Sequence, residues 1–150
     1  MDEIKYDALR LENQLCFQLY AASRAVIKKY RPYLDPIGLT YTQYITMMVF
    51  WEKEKISVKD LGKILFLDSG TLTPVLKSLE AKGFVKRYRS RDDERVLTVE
   101  ITEAGSTLKE RALSVPQALS GCLRLEPEEA ATLYRLLYKV LYAEGNEGEG

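Results

Sequence analysis

The chain has 150 residues, 46% of them hydrophobic, and its 22 basic and 22 acidic side chains cancel to a formal charge of zero. That is enough apolar material for one compact domain, or one domain with an attached association element. Histidine is absent and the cysteines are two, Cys16 and Cys122, which excludes Ser-His and Cys-His nucleophile pairs, nearly all zinc chemistry and a disulfide scaffold.

In chain order, Leu9, Leu15, Leu19, Ala22, Val26 and Tyr30 recur at mostly three- and four-residue steps, predicting an amphipathic helix over about 6–30. Pro32, Pro36 and Gly38 break it. Thr40 is placed as an N-cap, and 41–54 reads as a second helix, apolar on several faces and so central to a core. Ser57-Val58-Lys59-Asp60 has capping-box spacing and opens a short helix with Val58, Leu61, Ile64 and Leu65 inward. Asp68-Ser69-Gly70-Thr71 is a second helix start. The helix that follows carries Leu72, Val75, Leu76 and Leu79 and stops at Gly83; Pro74 is expected near its first turn. Two short helices with a tight connection form a helix-turn-helix.

The period then changes to two. Residues 84–90 and 95–102 alternate, with Leu97, Val99 and Ile101 on one face and a polar tip at 91–94, predicting a β-hairpin. A helix-turn-helix followed by a hairpin is a winged helix, so the fold class is mostly α with a small β wing. After Glu103 the chain is helical to about Leu119, with Pro116 as a break. Another helix opens at Pro127, with Glu128 and Glu129 suited to its dipole and Leu133, Leu136, Leu137, Val140 and Leu141 as its stripe. The Gly- and Glu-rich stretch 144–150 is expected to be disordered.

The expected organisation is a single domain over 1–150. It has a DNA-binding unit at about 40–102 and helices at about 6–35 and 106–143 that make a dimer or wrap their own domain. Residues 51–95 hold 11 basic and 8 acidic side chains, and both ends are acidic, so positive charge gathers modestly in the middle. The start lacks a leader pattern, and apolar runs such as 45–51 fall short of the ~20 residues that span a bilayer. A cytoplasmic protein without membrane, metal or cofactor is expected.

The pieces Leu11-Glu12-Asn13-Gln14-Leu15-Cys16-Phe17, Leu39-Thr40-Tyr41, Leu67-Asp68-Ser69-Gly70-Thr71-Leu72-Thr73-Pro74 and Asp93-Glu94-Arg95 carry a resemblance. Together they make the chain similar, over about residues 6–142, to the MarR family of bacterial regulators. Within that family it resembles the organic-hydroperoxide sensors of the OhrR, MgrA and SarZ type. The resemblance implies a homodimer on a pseudo-palindromic operator in double-stranded DNA. Ser69, Thr71 and Thr73 can approach base edges or phosphates, and Lys77 a phosphate. Arg87, Arg89 and Arg91 add charge in the wing. The family's minor-groove arginine matches Arg95, held by the acid that matches Asp93. Plain readings stand beside these: Ser69 as a cap, Thr71 and Thr73 as helix starters, Lys77 and Lys82 as solvated charges.

On the sensing side, Tyr20 lies one helical turn from Cys16. Tyr30, fourteen residues on, lies about 21 Å away along a straight helix and can meet only a partner's Cys16. The resemblance implies a peroxide-reactive cysteine at Cys16, supported by Tyr20, Tyr30 and Tyr41, the last two from the other subunit. It also implies, in one branch, a resolving cysteine near Cys122. Each cysteine has an inert, buried reading as well. Two other functions stay open: a regulator gated by a small aromatic acid, since ten tyrosines suit such a pocket, and a thiol peroxidase, for which the helix-turn-helix has no use.

Overall fold

Within residues 2–143, which the computed structural model describes, the chain forms two units, Met1–Leu119 and Ser120–Gly150. The boundary falls inside the stretch 106–143 that the sequence groups together, and the expected tail at 144–150 lies outside the described residues. The first unit contains α1 (Asp2–Lys5), α2 (Leu15–Leu34), α3 (Tyr41–Lys53), β1 (Lys55–Ser57), α4 (Val58–Leu65), α5 (Ser69–Ala81), β2 (Val85–Arg89), β3 (Leu97–Ile101), α6 (Glu103–Ala112) and α7 (Ser114–Ala118). The second contains α8 (Pro127–Ala143).

The first long helix departs from expectation at both ends. It starts at Leu15, because the preceding residues close into 3-10 turns at Asp7–Leu9 and Leu11–Asn13. The Asn13 amide donates to the Asp7 carbonyl at 2.8 Å, and the Gln14 amide donates to those of Ala8 and Arg10 at 2.7 and 2.9 Å. Side chains that take backbone acceptors in this way compete with a helical ladder. At the other end Pro32 does not stop α2, which runs on to the buried Leu34. The turn comes at Asp35–Ile37 and Gly38, whose φ of +70° favours a residue without Cβ.

Thr40 caps α3 in a complete capping box: its hydroxyl accepts from the Gln43 N–H at 3.2 Å, and the Gln43 carbonyl oxygen accepts from the Thr40 N–H at 3.1 Å. α3 is the central helix as expected, with Tyr44, Met47 and Phe50 buried and contacts to α2, α4, α5, α6 and β3. Burying each such side chain stabilises by about 1.5–3 kcal/mol. β1 is not legible in the sequence. It pairs antiparallel with β3, with Ile56 opposite Val99, and gives a three-stranded sheet in the order β1-β3-β2.

Ser57 caps α4 through the Asp60 N–H at 3.1 Å, and Leu61 is fully buried, but Ile64, expected inward, is 43% exposed. The turn into α5 passes Phe66 at φ +56° and brings the Leu67 carbonyl so near Gly62 that a Cβ there would lie 2.8 Å from it. Asp68 then caps α5, accepting from the Thr71 N–H at 2.7 Å. Pro74 sits in the second turn of α5, deeper than expected. The ladder bond it removes is to the carbonyl of the exposed Gly70, where solvent is at hand. α5 ends in a Schellman arrangement at Gly83 (φ +82°), with Phe84 N–H on Leu79 O and Gly83 N–H on Glu80 O.

The hairpin forms as expected, Val85 opposite Ile101 and Arg89 opposite Leu97. Thr102 caps α6, and Gly105 packs so tightly that a Cβ would lie 2.3 Å from the Phe84 carbonyl oxygen. The Trp51 indole donates to the Gly105 carbonyl at 2.9 Å. The break between α6 and α7 falls at Leu113, and Pro116 occupies the first turn of α7, where its missing N–H costs little. α8 begins at Pro127 as expected, and every residue along it is exposed. Among the described residues no helix is long and apolar enough to cross a membrane.

Candidate nucleic-acid interface and thiol site

At the start of α5, Ser69 and Thr71 are exposed, and Lys77 is exposed two turns further on. Ser69 is the first helical residue and not the cap, a task Asp68 performs. The Thr71 N–H holds the Asp68 carboxyl below the usual carboxylate range. Thr73 is half-buried and its hydroxyl donates to the Ser69 carbonyl at 2.7 Å. The helix therefore presents short hydroxyls at an end that Asp68 caps.

The wing arginines divide into two kinds. Arg87 is half-buried: its guanidinium donates to Glu80 on α5 at 3.1 Å, and its backbone N–H to the same carboxyl at 3.0 Å. Those bonds lower the Glu80 pKa. Arg87 thus ties the wing to α5, and it is not a loose surface charge. Arg89 and Arg91 are exposed. The Arg95 side chain is 91% exposed, and Asp93 grips it with both oxygens at 3.0 and 3.2 Å. A further Asp93 bond, to the Arg95 N–H at 3.0 Å, fixes the tip, and together the bonds lower the Asp93 pKa. Among the described residues no group of His, Cys, Asp and Glu is arranged to hold a metal ion.

Cys16 is exposed in the first turn of α2, with Tyr20 one turn along. The Tyr20 hydroxyl accepts a hydrogen bond from Arg24 at 2.9 Å. Tyr30 and Tyr41 come together at the far end of α2, ring centroids 4.8 Å apart, with Tyr44 at 6.0 Å from Tyr30. Burial pushes the Tyr41 and Tyr44 phenols up, with the nearby Tyr30 adding to it, so both remain proton donors at neutral pH. Because α2 is continuous from Leu15 to Leu34, Cys16 and Tyr30 stand about 21 Å apart along it. Cys122 is half-buried in the second unit.

Gln43 and Ser78 carry no role in the sequence reading, and Lys82, read there as a solvated charge, is bonded. Gln43 is buried and donates to the Ser78 hydroxyl at 2.8 Å, and Lys82 donates to Gln43 and to the Gly38 carbonyl. This knot joins the α2–α3 corner to α5. Its members are 35–44 positions apart, so no local pattern announces it. A cleft of about 720 Å³ lies beside it, lined by Arg24, Ile27, Lys28, Arg31, Leu39 and Tyr41 among others.

Residues 27–112 match the family model for the transcriptional regulator SarA/Rot. The chain is 45% identical to the organic hydroperoxide resistance transcriptional regulator of Bacillus subtilis, covering 93% of this chain and 95% of that one. Among solved structures it resembles reduced AbfR bound to DNA (TM-score 0.73, 37% identity, covering 93% of this chain and 97% of that one). It also resembles a MarR mutant from E. coli complexed with operator DNA (TM-score 0.77, 30% identity, covering 85% and 93%).

Proposed function

The chain belongs to the MarR-like winged-helix transcriptional regulators, and on that premise we propose that it is a cytoplasmic homodimeric repressor, released from its operator when an organic hydroperoxide oxidises Cys16. It is a DNA-binding regulator and not an enzyme. One observation carries the sensing part: the exposed Cys16 thiol lies in the first turn of α2, while Tyr30, near the other end of that continuous helix, packs on Tyr41 of α3. A second copy whose α2 crosses the first brings Tyr30 and Tyr41 to Cys16. The names of the relatives, with reduced and overoxidised forms of AbfR on DNA, support the same reading.

In the proposed step the Cys16 sulfur attacks the terminal peroxide oxygen. An S–O bond forms as the O–O bond breaks. The sulfur becomes a sulfenic acid, and the alkoxide leaves as the alcohol after taking a proton. Protonated tyrosines stabilise the attacking thiolate by donating to it. The altered dimer then draws the two α5 helices out of register with successive major grooves. Ser69, Thr71 and Thr73 face the groove in this reading, Lys77, Arg89 and Arg91 the phosphates, and Arg95 the minor groove. Arg87 serves the same interface by holding the wing on Glu80. The Cys122 thiol then attacks the sulfur of the partner's sulfenic acid, an S–S bond forming as the S–O bond breaks and water leaves, to give an intersubunit disulfide.

A gel-shift assay on the DNA upstream of its own gene, with and without cumene hydroperoxide, tests this. Release of the parent and retention of Cys16→Ser are expected; identical release of both sinks the sensing role. Non-reducing gels separate a disulfide dimer from a single-cysteine mechanism. The cleft beside Tyr41, with Arg24, Lys28 and Arg31 on it, favours a second reading in which a small aromatic acid gates the protein. Release by a phenolic acid and not by peroxide selects that one.

A further inference from the structure

The geometry points to Arg24 as the residue that positions Tyr20 for the peroxide step, an assignment that rests on the proposed role of Cys16. Cys16, Tyr20 and Arg24 follow at four-residue steps on α2, so they line one face a turn apart. Long side chains on a helix lean back toward its N-terminus. Arg24 leans onto Tyr20, its Nη1 donating to the hydroxyl oxygen at 2.9 Å and its guanidinium carbon 5.5 Å from the ring centroid. The same tendency directs a side chain at position 20 toward the turn that holds Cys16.

Arginine has donors and no acceptor, so this bond uses a lone pair of the Tyr20 oxygen and leaves its single proton to be given elsewhere. A cation on the oxygen also polarises the O–H and makes it a stronger donor. In the proposed step the acceptor, one turn back, is the Cys16 thiolate sulfur or the alkoxide oxygen released as the O–O bond breaks. An exposed arginine would otherwise be a solvated charge; here it selects which way the hydroxyl points and holds the ring.

The test uses the full chain carrying Cys122→Ser, so that the sulfenic acid persists. The second-order rate of its formation with cumene hydroperoxide is followed by dimedone trapping and intact mass. Arg24→Met, which keeps an unbranched apolar stem and loses all donors, is expected to react about tenfold more slowly, the scale of one charge-assisted hydrogen bond. Arg24→Lys, which keeps a donor, recovers the rate to within about threefold. Tyr20→Phe slows the reaction, and adding Arg24→Met to Tyr20→Phe slows it no further. An Arg24→Met as fast as its parent overturns this assignment alone, as does a loss that persists undiminished in Tyr20→Phe. A parent that forms no sulfenic acid overturns the sensing reading and this assignment with it.

Discussion

Around the wing and α5, several side chains are fixed by partners within one chain. Asp93 grips Arg95, Glu80 grips Arg87, Asp68 caps α5, and Gly105 lets α6 close on the hairpin. Along α2 and α8 the large side chains face outward: Leu15, Leu19 and Tyr20 on one, Leu136, Leu137, Tyr138 and Leu141 on the other. In the proposed function the DNA-reading part is thus held by its own residues, while the sensing helix and α8 each present apolar faces of a kind that a second copy covers. A regulator divided this way keeps its reading geometry rigid and leaves the adjustable contact to the assembly.

The comparison breaks hardest at Gly105. Gly105→Ala forces a Cβ onto the Phe84 carbonyl and is expected to lower stability by about 3 kcal/mol. A urea unfolding midpoint equal to the parent's would show that the junction is looser than described. Leu137→Glu should leave that midpoint in place and weaken the dimer by about 2–3 kcal/mol, through a charge placed on an apolar contact. Analytical ultracentrifugation reads it, and an unchanged dimer would remove α8 from the interface. Arg95→Ala, neutral for folding, should weaken operator binding by about 2 kcal/mol, roughly thirtyfold. Fluorescence anisotropy at fixed salt checks this, with equal affinities counting against a minor-groove role.

The smallest effect is a pH dependence confined to the reading part. The Asp68, Glu80 and Asp93 carboxyls are all held below their ordinary range by hydrogen bonds. A carboxyl lowered in the folded state contributes stability that is full above its unfolded value, near 4, and is lost as pH falls through the folded value. The unfolding midpoint should therefore drop on acidification below about pH 4, and less in Asp68→Asn. An equal drop in both would mean that the cap bond to Thr71 is not a contributor.

Much of this division was legible in the sequence, for physical reasons. Thr40, Ser57, Asp68 and Gly83 act within a few residues of themselves, so helix starts and stops have local signatures. The alternation of 97–101 reports a strand with one buried face. β1 was not legible, since three residues carry no period and need β3 to exist. The Arg87–Glu80 bond, the Arg24–Tyr20 bond and the knot of Gln43, Ser78 and Lys82 were missed as well. Arg87 and Tyr20 have other roles in the sequence reading, Lys82 reads as a solvated charge, and Arg24, Gln43, Ser78 and Glu80 carry no local mark until their partners are known. The late start of α2 was hidden because amides at Asn13 and Gln14 outcompeted a helical pattern that continues through them.

Lys82 closes the C-terminal end of α5 onto the Gly38 carbonyl and Gln43. Thirteen residues of helix make a rod about 20 Å long, anchored at this end and carrying Ser69 and Thr71 at the other. Such a rod is a lever arm: a tilt of roughly 5° at the anchor sweeps its tip by about 2 Å over that length. In the proposed reading, where Ser69 and Thr71 hydrogen-bond base edges, such a sweep exceeds the span of a hydrogen bond, so a corner that barely moves is enough to take the tip out of reach.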